Sequence, residues 1–362
     1  MFDFIPIEYY TPIFFYFILL VVLGVVLHAN ILPMESQKNY QFISNVSLVV
    51  FVLVIFYMGF RPISGAYFSD MGIYAKRFLR YQQGLHLITS KDVTFQFFIK
   101  MMAYVSSVEF FFFTCTVLYI VPLFRATKKM FAEYWGYGFL ILVASMSFWS
   151  YGTNGIRNGI ATSLFILALI HMNKRVLFVA LLVLVCAIHK SMLLPVLALV
   201  ITFLHNNPRS YLIFWFLAIP LSLAFGGFWE GLFGSLEFDD RFSYFTDDTY
   251  ADQFSSVGFR WDFVLYSGIG VFAGWYYIYK KKFDDVFYNR FLNVYLLSNA
   301  FWILVIRSSF SNRFAYLSWF LLGLVIIYPL LKRKLFTHQH RVIGNVMLLY
   351  FLFSLALNVI LK

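Results

Sequence analysis

Apolar runs of membrane-spanning length recur from one end of the chain to the other, and this recurrence leaves few architectures open. A spanning helix needs about 20 predominantly apolar residues. The 362-residue chain is 61% hydrophobic and only 12% charged, whereas soluble domains carry about 25% charged residues. The sequence therefore predicts an all-α, polytopic membrane bundle, with residues 1–362 forming a single integral membrane domain. The first residues carry acids (Asp3 and Glu8) instead of a basic leader, so the first apolar run is expected to remain as a span. Cys115 and Cys186 both fall inside apolar runs and give neither a disulfide framework nor a metal site. The net charge of +11 comes from basic residues scattered between spans. That pattern fits orientation by the positive-inside rule and gives no nucleic-acid surface.

Threading the chain gives about twelve spans. They fall near 11–30, 43–60, 102–124, 131–150, 157–172, 176–188, 191–204, 211–228, 262–279, 291–306, 314–331 and 343–361. Lys128-Lys129, Lys174-Arg175, Arg209, Lys280-Lys281-Lys282, Lys332-Arg333-Lys334 and Arg341 then share one face, expected to be cytoplasmic. Residues 176–204 decide the count. As one helix they would run roughly 43 Å, longer than the hydrocarbon core, and would send the later basic triplets outside. A short helical hairpin broken at His189-Lys190-Ser191 keeps them inside. The external pieces are then an amphipathic segment at 61–101, an acidic and aromatic loop at 229–261, and the turn Arg307–Arg313. His28, His171, His205, His338 and His340 fall toward the cytoplasmic side and carry no assigned chemistry.

The external side concentrates unusual charges. Arg157 opens the first turn of a helix, where a cation opposes the helix dipole at a cost of a few tenths to about 1 kcal/mol. A bound anion reverses that sign, because free N–H groups, the dipole and the guanidinium all favour it. The planar fork of arginine suits phosphate, and Asn154 and Asn158 flank it. The competing reading is an interfacial arginine reaching lipid headgroups. Arg61, Arg307 and Arg313 also stand at outer helix ends, and together the four arginines suit anion coordination if they converge. His189 sits at the expected helix break beside Lys190, whose charge disfavours the imidazolium. It is either a structural histidine or a base. Asp70 and Tyr74 are one turn apart on a common face. Asp70 either takes a proton from a sugar hydroxyl or pairs with Lys76 or Arg77. In the 229–261 loop, Asp247 and Asp248 lie among aromatic residues, a composition that suits carbohydrate and lacks the calcium-loop spacing.

Four stretches resemble one family. "NGIRNGIATSLFILAL" is followed by a basic turn and then "LLVLVCAIHKSMLLPVLAL". "FRPISGAYFSDMGIYAKRF" precedes them and "SNRFAYLSWF" comes late. In order and spacing they resemble the EpsG/Wzy-type bacterial polysaccharide polymerases. Asn158 stands where glutamine is common, and the element around Asp70 is looser than the usual pattern. The resemblance implies a C-type glycosyltransferase-like bundle in the bacterial cytoplasmic membrane, acting on its outer face without a metal or other cofactor. It would transfer a growing chain from polyprenyl diphosphate to the next lipid-linked repeat unit, as in O-antigen or exopolysaccharide synthesis. On this reading Arg157, Arg313, Arg307 and Arg61 clamp the diphosphate, and His189 or Asp70 takes the acceptor proton. Asn154, Asn158, Tyr74, Lys190, Asp247 and Asp248 hold substrate. A flippase and a chain-length regulator are candidate partners. A ligase needs the same clamp and differs only in its acceptor. A transporter of the lipid-linked unit is expected to show repeated halves and midplane charges, and the sequence shows neither.

Overall fold

The computed structural model describes residues 4–86, 93–234, 258–308 and 311–360. Among these residues every regular element is helical. The helices are α1 (Ile7–Ile31), α2 (Gln37–Gly59), α3 (Ser69–Gln82), α4 (Val93–Val105), α5 (Val108–Phe131), α6 (Trp135–Val143), α7 (Met146–Thr153), α8 (Ile156–Leu169), α9 (Arg175–Ile188), α10 (Leu193–Leu204), α11 (Pro208–Gly234), α12 (Trp261–Trp275), α13 (Val286–Leu304), α14 (Ser311–Lys332) and α15 (Gln339–Leu355).

Local signals start several of them. Ser36 accepts from Asn39 N–H at the head of α2, Ser107 from Phe110 N–H at α5, and Asp285 from Tyr288 N–H at α13. Each satisfies a backbone donor that the first turn leaves open. In α3, Asp70 in the first turn and Arg80 in the last suit the helix dipole. Met71, Tyr74, Ala75, Phe78 and Tyr81 recur at helical spacing and are all buried, so the amphipathic pattern of this segment becomes a packed face.

Among the described residues, six helical stretches are long and apolar enough to cross a membrane: Ile7–Ile31, Gln37–Gly59, Val108–Val143, Pro208–Trp229, Arg313–Lys332 and Gln339–Ile360. Shorter apolar helices occupy Val93–Val105, Ile156–Leu169, Arg175–Ile188 and Lys190–Leu204. Several expected boundaries move. The run read as 102–124 is interrupted between α4 and α5, where Ser107 caps a new helix. The run read as 131–150 bends at Ser145, whose ψ of 148° is extended. Helix α11 continues to Gly234, into the stretch read as an external loop. The expected break in 176–204 is present. Helix α9 ends at Ile188, His189 is extended at φ −146° and ψ 113°, and α10 starts at Leu193 after a short 3-10 turn.

The chain divides into two compact units, residues 1–189 with 330–362, and residues 190–329. In the first, α5 packs on α2 and α8, α8 on α9, and α1 on α15. In the second, α13 packs on α10 and α11. A buried polar cluster ties α11 to α14 within this unit. The Asn299 side-chain carbonyl accepts from Trp215 Nε1 at 2.7 Å. Its amide donates to Ser267 Oγ at 3.0 Å and to Ser318 Oγ at 2.9 Å. Trp319 Nε1 donates to Ser267 Oγ at 2.8 Å.

Candidate functional site

The site is built in the first unit, where the end of α2, the start of α3 and the α7–α8 turn come together. Helix α2 closes at Gly59, and Arg61 then turns inward and is buried. Its Nη1 donates to the Met58 carbonyl at 2.5 Å and its Nη2 reaches the Thr153 carbonyl at 3.5 Å. The guanidinium stacks between Phe68 and Phe112, at 5.5 and 5.7 Å from the two ring centroids. Burial draws its pKa down to about 10, so it stays cationic at neutral pH. Nε has no hydrogen-bond partner among the described residues. Arg61 thus joins the end of α2 to the residue before Asn154.

The α7–α8 turn is a tight reversal. The N–H groups of Asn154 and Gly155 both donate to the Ser150 carbonyl, at 2.8 and 2.9 Å. Gly155 precedes α8 and no side chain caps the helix. The reversal brings Gly159 close to α7. A Cβ there would stand 2.8 Å from the Tyr151 carbonyl and 3.2 Å from the Tyr119 ring, so only glycine permits the approach.

Arg157 emerges from this turn half-buried. Its guanidinium lies 6.0 Å from the centroid of the Tyr74 ring and donates a hydrogen bond to the Tyr74 hydroxyl. Tyr74 is buried, and burial raises its pKa above the ordinary phenol value despite the Arg157 charge. It therefore keeps its proton. The Asp70 charge, one turn earlier on α3, also acts on Tyr74. Arg157, Tyr74 and Asp70 are thus neighbours, drawn from two helices 83 to 87 positions apart in sequence. Asn158 follows Arg157 and is 6% exposed. Its Oδ1 has no partner among the described residues, and an unmatched buried carbonyl costs about 1–3 kcal/mol. Asn154 is exposed at the rim.

His189 reaches the same end by topology. Helices α8 and α9 have 14 residues each and pack on each other. Only residues 170–174 join them, so the pair is antiparallel. The C-terminus of α9 returns to the level of the α8 start, and His189 follows it, buried, with its N–H on the Val185 carbonyl. Lys190, Arg307 and Arg313 belong to the second unit. There Arg307 is exposed, and its Nη2 reaches the Leu223 carbonyl at 3.4 Å. Asp247 and Asp248 lie outside the described residues.

Sequence reasoning paired Asp70 with Tyr74 by spacing but missed the Tyr74–Arg157 contact and the inward turn of Arg61. Only the folded chain sets those pairs. Arg61 carried a sequence signal, since it follows directly on the apolar end of α2.

Comparison with curated proteins and with solved structures gives no match. A family model matches residues 44–362, taking in most of α2, every later helix and every candidate site residue. The chain accordingly belongs to the EpsG family, the Wzy/EpsG-type polysaccharide polymerases.

Proposed function

We propose that this protein polymerises lipid-linked oligosaccharide repeat units on the outer face of the cytoplasmic membrane, moving the growing chain from its polyprenyl diphosphate to the next lipid-linked unit. The observation that carries the reading is the Arg157–Tyr74–Asp70 cluster at an uncapped helix start. It combines a forked cation, a protonated phenol and a carboxylate within one group. In the reaction the acceptor hydroxyl oxygen forms a bond to the anomeric carbon. The bond from that carbon to the diphosphate oxygen breaks, and its electron pair leaves with polyprenyl diphosphate. Negative charge grows on the departing oxygens, and a positioned guanidinium stabilises it more as the bond breaks than before. Arg157 is the proposed clamp, with Tyr74 as a neutral donor beside it. The acceptor proton goes to Asp70 or His189. Arg61 acts as a positioning residue, holding Thr153 and hence the turn that presents Arg157. Arg307, Arg313, Lys190, Asn154, Asp247 and Asp248 are proposed to contact the diphosphate or the sugars when substrate is bound.

The test is an assay with purified protein, polyprenyl-diphosphate-linked repeat units as the sole substrate, and products resolved as a size ladder. A ladder that disappears with Arg157→Ala, while that variant still folds, supports the polymerase and the clamp. Absence of a ladder with a competent substrate rejects the polymerase. Transfer to a different acceptor would then indicate a ligase, and passage of the lipid-linked unit across sealed vesicles a flippase.

A further inference from the structure

At the far end of α2 from Arg61 lies a second polar centre that the reaction above does not use. Asn39 and Met58 are 19 residues apart on α2, roughly 28 Å along the axis. Around Asn39 four buried or half-buried groups form a chain of short contacts. The Tyr137 hydroxyl is 2.7 Å from Asn39 Oδ1 and 2.6 Å from His340 Nε2. His340 Nδ1 is 2.6 Å from the Leu32 carbonyl. The Asn39 amide nitrogen donates to the Met34 carbonyl at 2.7 Å, which fixes the orientation of Oδ1. His28 Nε2 approaches that Oδ1 at 3.1 Å.

Counting hydrogens along this chain points to a charge. Three contacts link Leu32 O, His340, Tyr137 and Asn39 Oδ1, and each needs one hydrogen. The two end atoms accept only. A hydroxyl supplies one hydrogen and a neutral imidazole supplies one, which leaves one contact between two lone pairs. An imidazolium supplies two, and all three contacts are then made. A His340 that donates at both ring nitrogens would make all three contacts at once.

That ring borders a cavity of about 300 Å³, whose lining includes Leu32, Glu35, Lys334, His338, His340 and Arg341. Ligand clefts begin at about this size. Lys334 and Arg341 are two cations against the single carboxylate of Glu35, a doubly protonated His340 would add a third, and His28 on α1 adds no negative charge. His340 is 5% exposed, and a charge held out of water is costly unless it is paired. We propose that this cavity binds a phosphate-class anion, with the His340 imidazolium as its inner wall and Lys334 and Arg341 at its mouth.

The probe is inorganic phosphate, titrated against chloride at equal ionic strength into the full-length protein in maltoside micelles, which carry no phosphate. Phosphate at about a hundred times its Kd should raise the melting temperature by about 5 °C. A Lys334→Gln/Arg341→Gln variant should lose most of that rise, and Lys334→Arg/Arg341→Lys should keep it. If phosphatidylglycerol in nanodiscs gives the rise and free phosphate does not, with the same dependence on the two cations, the phosphate is one carried on lipid. No rise from either source, or a rise of equal size in the Gln variant, overturns the site. Nitrogen-15 spectra of histidine-labelled protein test the wall. An imidazolium signal at pH 7.5 that vanishes in His340→Gln is expected, and neutral rings at all seven histidines would refute it.

Discussion

The Arg157 guanidinium and the Tyr74 hydroxyl are hydrogen-bonded, and the chemistry proposed for each depends on that contact. A lysine at 157 would keep the charge but present a single ammonium in place of the planar fork, so it cannot hold two phosphate oxygens at once. Arg157→Lys is expected to fold as the parent does and to lose about 10²–10³ in turnover, the range for removing one donor from a developing oxyanion. Near-normal polymer from this variant would end the clamp role. Asp70→Asn and His189→Ala separate the two candidate bases: the true base should show turnover down by about 10²–10⁴, and the other only a modest change. Measuring turnover and KM for both variants reads the difference. At this scale the sequence showed which residues were unusual. The arginine at a helix start, the carboxylate one turn from a tyrosine and the histidine beside Lys190 were all legible as types in places. Their partners were not, since Tyr74 and Arg157 are 83 positions apart and only packing pairs them.

Among the elements, short helices and close backbone contacts shape the site. Gly72 on α3 meets the 61–68 segment so closely that a Cβ would stand 2.6 Å from Gly65 Cα. The obstruction is main chain, which cannot rotate aside. Gly72→Ala is therefore expected to displace the start of α3, costing about 1–3 kcal/mol and reducing polymer yield along with the melting temperature. Gly24 in α1 has open space where a Cβ would go. Gly24→Ala should leave activity alone and stabilise by about 0.5–1 kcal/mol through the helix propensity of alanine. Comparing the two thermal midpoints checks both. The break at His189 was legible because an unbroken helix would exceed the membrane and reverse every later basic cluster. The bend at Ser145 was not: alanine and serine lie unmarked within an apolar stretch, and hydropathy alone carries no dihedral information.

Across the whole molecule, the membrane class followed from composition, and the division into two compact units did not. Contacts between helices far apart in sequence make that division, and apolar runs look alike whichever neighbour they pack on. Within the second unit the Asn299 cluster supplies what hydrophobic matching cannot. In lipid, apolar contact alone gives helices little preference among partners, and polar bonds add direction. Asn299→Leu removes the acceptor of Trp215 and strands a buried indole N–H, at about 1–3 kcal/mol. Lower resistance to thermal unfolding in detergent, with normal membrane insertion, is the expected result. An unchanged melting temperature would show that the cluster is dispensable.

The length of α8 and α9 has a consequence for the lipid around the protein. Fourteen residues cover about 21 Å, while the hydrocarbon layer is about 30 Å thick. A shortfall of roughly 9 Å is met by packing against the longer helices, by local thinning of the bilayer, or by a water-filled recess above Arg157. With thinning or a recess, the proposed diphosphate substrate would be drawn down toward acyl-chain depth while its isoprenoid stays in place. Host membranes built from longer acyl chains would then slow the enzyme without touching a single residue.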